Sequence, residues 1–439
     1  MSKKTWRPSE DVLRLFQTVG RASLLCDIQD SHSGNMAIRH RDEAGNEWIV
    51  ITATGSQKGD LESNQICFLS PTETDFRSSK ASSEANVHAR ILSLEGVAAS
   101  IHAHTKDLTI VTLDDVPKPS QPASFIPVDP LGRFYLGVVP VDWVEVPSGS
   151  AEMARIIPDR LAHHPATVIQ NHGTFTRGRT LKEAFFLACI ANNAGYIARL
   201  LHRLGVDVNE LRREIEAEPD SSFACEPPAY TIDDDEACDF PEEKEIRLEF
   251  HRTGARIFES RLSPFHTGSM SVRGLRSLLY APKASMPREI GGPLLEVPLE
   301  LRNKDTAEAR LHKQIYAAGD FQTIIHCYVP EAEAHSHWRF AGEQAPVSRV
   351  VPIDAEGRFL YFVIPVVPAR TSPAELVKLL HDYKVVIVRG GGAWAVGQRS
   401  LSEPLHHLSS LREICLYRIG AFELGLDLRR MEPEKAKGR

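Results

Sequence analysis

Gly34-Asn35-Met36-Ala37-Ile38-Arg39 returns later in the chain as Gly268-Ser269-Met270-Ser271-Val272-Arg273, and that return decides how the fold is organised. Working outward, Glu84-Ala85-Asn86-Val87-His88 is matched by Glu308-Ala309-Arg310-Leu311-His312, and Ile101-His102 by Ile325-His326. Further on, Gly132-Arg133-Phe134 is matched by Gly357-Arg358-Phe359, and Pro140-Val141 by Pro365-Val366. Five pairs keep one order, which chance rarely arranges, so the chain reads as a tandem duplication. Its 439 residues are also more than one core usually serves. The expected bounds are a first domain over 1–213, an acidic linker over 214–245 and a second domain over 246–439. The linker contains Pro219, Pro227, Pro228 and Pro241 and has little to bury. The basic tail after Leu428 is expected to fray.

Composition narrows the class. Hydrophobic residues make up 42% and charged residues 25%, an ordinary globular balance. A formal net charge of −7 argues against a general nucleic-acid binder. No uninterrupted apolar run reaches the roughly 18–20 residues that span a bilayer, so no membrane segment is expected. Met1 to Pro8 lacks the apolar core of a signal peptide. Seven scattered cysteines without a CxxC pair point to a reducing cytoplasm rather than a disulfide framework.

Periodicity gives a coarse α/β reading of the first copy. Ser9 to Leu25 has helical spacing, with Ser9 as N-cap. Trp48–Ala53, Val97–His104 and Ala166–Gln170 read as strands. Ser82 or Ser83 caps a helix running to about Leu94. Thr180 and Glu183 form a capping box before Leu181–Leu204, with Gly205 as the closing glycine. Neither GxGxxG nor GxxxxGK[ST] is present.

In a strand, side chains alternate with period two, so His102 and His104 share a face with Cα atoms roughly 6.5–7 Å apart. His172 follows a strand and precedes Gly173, where the backbone can turn sharply. Three neutral imidazoles with a fourth position open describe a catalytic zinc site more than a closed structural one. Read alone, one HxH in a chain of 18 histidines is more often packing than a ligand pair. His335 and His337, His163–His164 and His406–His407 have no third ligand and base at regular spacing and read as surface or packing histidines. Glu84 stands at a helix start, where a carboxylate can simply complement the helix dipole, and His88 lies one turn on along the same face. Ser33-Gly34-Asn35, Thr54-Gly55-Ser56 and Ser82-Ser83 suit an anion, although each by itself is an ordinary turn or cap.

Taken in order, Ser33-Gly34-Asn35, Ile51-Thr52-Ala53-Thr54-Gly55, Ser82-Ser83-Glu84, His102-Ala103-His104, Asn171-His172-Gly173 and the helix from Thr180 resemble the class II aldolase/adducin family. This is the fold of the zinc-dependent fuculose-phosphate and ribulose-phosphate enzymes. The resemblance covers about Ser9 to Gly205. It implies two tandem α/β/α sandwich domains, each around a mostly antiparallel sheet. It implies that His102, His104 and His172 bind Zn2+, imidazole accepting other divalent transition metals as well. It also implies that Glu84 is the acid/base, and that Asn35, Thr54, Gly55, Ser82 and Ser83 hold a substrate phosphate. The implied chemistry is a lyase reaction on a small, phosphorylated hydroxy-carbonyl compound through a metal-stabilised enediolate. Decarboxylation, dehydration and epimerisation on the same scaffold are the enzymatic alternatives, and an adducin-like assembly protein is the non-enzymatic one. The aldolases of this family use a tyrosine as second acid. Between His104 and His172 only Tyr135 is available, in a segment that reads as strand-like.

In the second copy Glu308 and His326 are kept, while Tyr328 stands at the place of His104 and Gly391 at that of His172. One imidazole and one carboxylate are too few for tight zinc binding, so this copy is expected to be structural and metal-free. Four-fold rings are common in the family. The duplication therefore suggests a homo-oligomer, a dimer forming a pseudo-four-fold ring, in which Tyr328 or Arg389 of one chain reaches the zinc site of another.

Overall fold

The computed structural model describes residues 7–71, 80–113, 123–217, 244–282 and 294–433. They contain two eight-stranded sheets of the same topology. In the first copy the strands are β1 (Asn35–Arg41), β2 (Glu47–Thr52), β3 (Ile66–Leu69), β4 (Ala99–Ala103), β5 (Ala123–Phe125), β6 (Val139–Asp142), β7 (Ala166–Ile169) and β8 (Gly173–Gly178). The second copy adds β9 (Gly268–Arg273), β10 (Ser277–Ala281), β11 (Leu295–Pro298), β12 (Thr323–Cys327), β13 (Arg349–Val350), β14 (Ile364–Val367), β15 (Val385–Val388) and β16 (Gly392–Gly397). The orders are β3-β2-β1-β4-β8-β7-β6-β5 and β11-β10-β9-β12-β16-β15-β14-β13. One pair in each sheet is parallel, β6 with β7 and β14 with β15, and the others are antiparallel.

Alternation along the strands explains why helices cover both faces of the second sheet. Ile324, Val386, Trp394 and Val396 pack with the helices Ala307–Ala318 and Pro373–Tyr383. Their neighbours Ile325, Val385, Ile387, Ala393 and Ala395 lie in a separate core with the helices Lys244–Glu259 and Ser402–Glu423. A sheet buried on both faces needs this apolar run instead of a polar alternation. In the first sheet, Ala37, Ile49, Ile51, Ile169 and Phe175 share a core with Val87 and Ile91 of the helix Ala85–Leu92 and Ile157 and Leu161 of the helix Met153–His163. That face carries the site.

Several expectations are met. The helix Glu10–Leu25 begins after Ser9, whose Oγ accepts from the Val12 amide at 3.3 Å. Gly205, at φ 69°, follows the helix Leu181–Arg203. Other expectations are corrected. Neither serine caps the helix Ala85–Leu92; Glu84 is its preceding residue, and Ser82 Oγ accepts from the Glu84 amide at 3.3 Å. Thr180 does accept from the Glu183 amide, but the Glu183 carboxylate takes the Arg179 amide, so the capping box is displaced by one residue. Tyr135 ends a helix, Pro130–Tyr135, and is not in a strand; its counterpart segment is also helical, Ala355–Leu360. Pro130 starts the first of these where its missing N–H costs nothing. Of the two alternatives read for His335 and His337, surface or packing, the structure has packing: both are buried.

Leu181–Arg203 is one helix long and apolar enough to cross a membrane, but 89% of its apolar window is buried inside the protein, as in a core helix. Apart from Val128–Pro130, the chain divides by compactness within this helix, one unit reaching Tyr196 and the other running from Ile197. The expected linker has helical residues at its margins, up to Ala217 and from Lys244. Residues 218–243, and 434–439 of the basic tail, lie outside the described residues.

Candidate metal centre

Strand register assembles the site. Asn35 on β1 and Phe175 on β8 are the cross-strand partners of His102 on β4. Directly opposed residues share a face, so the three side chains stand in one row. Phe175 stacks on the His102 ring at 4.2 Å and 16°. His104 lies just beyond the end of β4. His172 sits in the turn between β7 and β8, after Asn171, which adopts φ 61°. Gly173 has to be glycine: a Cβ there would lie 2.6 Å from the Ala103 carbonyl oxygen and 3.0 Å from His102 Cε1.

The fold brings His102, His104 and His172 together, with one ligand nitrogen from each within 4.8 Å of the others. The His102 and His172 Nε2 atoms are 3.2 Å apart. His102 Nδ1 lies 3.2 Å from the Thr174 carbonyl oxygen, which can only accept, so Nδ1 carries the proton and Nε2 presents its lone pair to the cluster. Burial first, and then neighbouring imidazoles, keep these rings from ionising: His172 is lowered to about 4 and His102 well below its ordinary value. Burial also lowers His104, with Lys58 adding to the effect and Asp30 opposing it. Neutral imidazoles converging on one small volume fit a divalent cation better than any other occupant.

Glu84 faces this cluster. Its Oε1 is 3.7 Å from His172 Nε2 and its Oε2 3.8 Å from His102 Nε2. Since both rings are neutral, these contacts are not ion pairs. Burial raises the Glu84 carboxyl to about 7, against the opposing hydrogen bond from Asn35. That bond runs from Asn35 Nδ2 to Glu84 Oε2 at 2.7 Å.

The three polar segments singled out in the sequence are tied together. Thr54 Oγ1 donates to the Ala81 carbonyl at 2.8 Å, and the Ser82 amide donates to the Thr52 carbonyl at 3.1 Å. Lys58, which the sequence reading missed, links Ser56 to the turn before Ser33: its Nζ donates to the His32 carbonyl, the Ser56 carbonyl and Ser56 Oγ at 3.0–3.2 Å. Burial lowers this lysine to about 8. Asn35 and Ser82 are buried, and Thr54, Gly55 and Ser83 are exposed. Ser100 and Gln29 were also missed, and His88 was noted only for lying one turn beyond Glu84; Gln29 Nε2 donates to the His102 carbonyl at 2.9 Å. A histidine one turn beyond Glu84 was the available signal for His88. Nothing in the local sequence marks Gln29 or Lys58. Tyr135 packs edge-on against Phe186 at 4.7 Å.

The second copy builds the same row with other contents. Ser269, His326 and Trp394 are register partners, and Trp394 stacks on His326 at 4.2 Å and 9°. His326 Nε2 lies 2.8 Å from the Gly391 carbonyl oxygen, and its Nδ1 2.8 Å from Glu308 Oε1.

This sheet order, occurring twice, and a three-histidine cluster beside a buried carboxylate define a class. The family described as Class II Aldolase and Adducin N-terminal domain matches residues 16–198 and 249–419, and the chain belongs to that family. Among curated relatives, the chain is 27% identical over 184 residues to a 5-methylthioribulose-1-phosphate/5-deoxyribulose-1-phosphate aldolase of Rhodospirillum rubrum, covering 40% of this chain and 72% of that protein. It is 25% identical over 165 residues to a probable bifunctional methylthioribose-1-phosphate isomerase/methylthioribulose-1-phosphate dehydratase of Nocardia farcinica. That match spans 35% of this chain and 29% of the relative. Among solved structures, L-fuculose-1-phosphate aldolase of Thermus thermophilus aligns with 24% identity and a TM-score of 0.38, over 47% of this chain and 97% of that one.

Proposed function

We propose that the first domain, over about 1–213, is a metal-dependent lyase acting on a small phosphorylated hydroxy-carbonyl compound. The observation that carries this reading is the convergence of the three imidazoles, within 4.8 Å, on a space that the Glu84 carboxylate also faces. His102, His104 and His172 would hold the divalent cation, with zinc the expected metal. When bound, that ion supplies Lewis acidity to a carbonyl oxygen and stabilises the charge that develops there. Glu84, held near neutral pH by burial, takes the proton from carbon or oxygen and returns it. Ser82 and Asn35, with Thr54, Gly55 and Ser83, offer amides and hydroxyls to a phosphate. Lys58 adds a positive charge behind them; no carboxylate among the described residues lies within ion-pair distance of it.

Two reactions fit these groups. The curated relatives carry both an aldolase and a dehydratase name, each on a sugar phosphate. Tyr135 is engaged with Phe186, so the second acid of an aldol cleavage is not assigned, and this favours keeping dehydration as the second reading. We assign the second domain, over about 246–439, a structural role without metal. The test is metal analysis of the purified chain followed by a screen of ketose phosphates against unphosphorylated hydroxy-acids. Turnover of a ketose phosphate that requires the metal supports the proposal. A metal-free first domain, or turnover of unphosphorylated acids alone, overturns it.

A further inference from the structure

A chain of buried hydrogen bonds stands behind Glu84. Ser100 Oγ lies 2.6 Å from His88 Nδ1, His88 Nε2 contacts Asn35 Oδ1, and Asn35 Nδ2 donates to Glu84 Oε2 at 2.7 Å. With Glu84 ionised, the direction of every bond is determined. A carboxylate accepts, so the Asn35 amide nitrogen faces Glu84 and its oxygen faces His88. His88 Nε2 must therefore carry the proton, and Nδ1 accepts from the Ser100 hydroxyl. His88 and Ser100 are fully buried, and neither belongs to the metal cluster.

The second copy builds the same chain from different residues. Ser271 Oγ lies 2.6 Å from His312 Nδ1, His312 Nε2 lies 2.8 Å from Ser269 Oγ, and Ser269 Oγ donates to Glu308. The hydroxyl that meets the imidazole has changed strands. Ala37 is paired with Ser100 in the first sheet, and Ser271 with Ile324 in the second. By the repeat, Ser271 occupies the position of Ala37 and Ile324 that of Ser100. One side of a directly opposed pair supplies the hydroxyl in each copy, and the other side is apolar. Plain core packing has no need to keep an oxygen at this point while its source moves across the ladder.

We infer that His88 and Ser100 are positioning residues for Glu84. They lock the Asn35 amide in the rotamer that donates to Oε2, which leaves Oε1 directed at the space beside His172. Without them the Asn35 amide is free to flip, presenting its oxygen to a carboxylate that it then repels. The inference rests on the proposed role of Glu84, and its test has an arm that does not depend on turnover.

In crystal structures of the full-length metal-free chain, His88→Ala and Ser100→Ala are expected to rotate the Asn35 amide. The Glu84 carboxylate should then leave its place within 4 Å of both His102 and His172 Nε2. An unmoved carboxylate in both variants overturns the inference, even if no ketose phosphate is ever turned over. In the metal-loaded chain acting on a ketose phosphate, His88→Ala should lower kcat about 10- to 100-fold with KM changed less than about threefold. Adding Ser100→Ala to it should cost nothing further in kcat, since both interrupt one chain. Ser100→Ala should lower kcat about five- to twentyfold, and Ala37→Ser in that background should restore most of the loss by supplying the hydroxyl from the strand the second copy uses. Losses that multiply, or a Ser100→Ala defect that Ala37→Ser leaves untouched, would overturn the inference. If His88→Ala does not fold, the Ser100→Ala and Ala37→Ser pair decides alone.

Discussion

His326 Nε2 lies 2.8 Å from the carbonyl oxygen of Gly391, at the place where His102 Nε2 in the first copy lies 3.2 Å from His172 Nε2. A carbonyl oxygen only accepts, so His326 Nε2 holds a proton and has no lone pair for a metal. His102 carries its proton on Nδ1 against Thr174 and leaves the Nε2 lone pair facing the cluster. One imidazole in two copies is thus set to opposite roles by the group facing it.

Metal content should therefore be one ion per chain. His102→Ala should abolish it and His326→Ala should leave it intact, as read by atomic absorption on dialysed protein. A ratio near two would contradict the assignment of the second domain.

Glu84→Gln preserves shape and removes the ionisable proton. It should retain the metal while lowering kcat about 10²- to 10⁴-fold, the usual contribution of a positioned acid/base. A variant that keeps its metal and its full rate would remove Glu84 from the mechanism.

The histidine cluster also dictates how metal binding responds to acid. Protons compete with the cation for imidazole, and three ordinary histidines would lose roughly four orders of magnitude in affinity between pH 7 and pH 5. Here His172 is lowered to about 4 and His102 and His104 are lowered as well, so the metal-binding form persists to lower pH. The expected loss over that interval is therefore well below the ordinary one. Competition titrations with a chelator at the two pH values measure it, and a loss near the full ordinary value would refute it.

Gly173→Ala would push a methyl against the Ala103 carbonyl oxygen and the His102 ring. Overpacking of this kind costs about 1–3 kcal/mol, and metal affinity should fall along with stability because His102 must move. Gly45→Ala, at φ 82° with open space around its Cβ, should destabilise without touching the metal. Chemical denaturation and metal titration of both variants separate the two effects.

A prediction for the second domain is purely structural. Lys313 and Asp305 form a buried ion pair at 2.7 Å, and the second Asp305 oxygen accepts from the Arg302 amide. Lys313→Met strands the carboxylate and should cost about 3–5 kcal/mol. Urea unfolding would show it as a lowered midpoint with unchanged metal content.

Much of this was legible in the sequence because it follows from short-range rules. Ser9 is a helix cap of the usual kind, and the order of repeated segments announced the doubled sheet before any strand pairing was visible. The three histidines could be nominated from strand periodicity and a following glycine. The chain from Ser100 through His88 and Asn35 to Glu84 could not, because it needs the register of β1 against β4, and register is a property of two strands together. Lys58 was hidden for a related reason: its partners are mostly carbonyls, which no side-chain pattern announces. The helix at Tyr135 was misread although signals existed. Pro130 stands at its first position, and in the second copy Asp354 caps the matching helix by accepting from the Gly357 amide. The run is one short turn and a half, too brief for periodicity to register.

The glycine beside each stacked ring has a wider implication. A Cβ at Gly392 would meet His326 Nε2 at 2.6 Å, just as one at Gly173 would meet His102. The slot that seats an imidazole between a glycine and an aromatic plane thus exists in the second domain as fully as in the first. The backbone is shared while the loops differ: at two loop positions one copy has His104 and His172 and the other Tyr328 and Gly391.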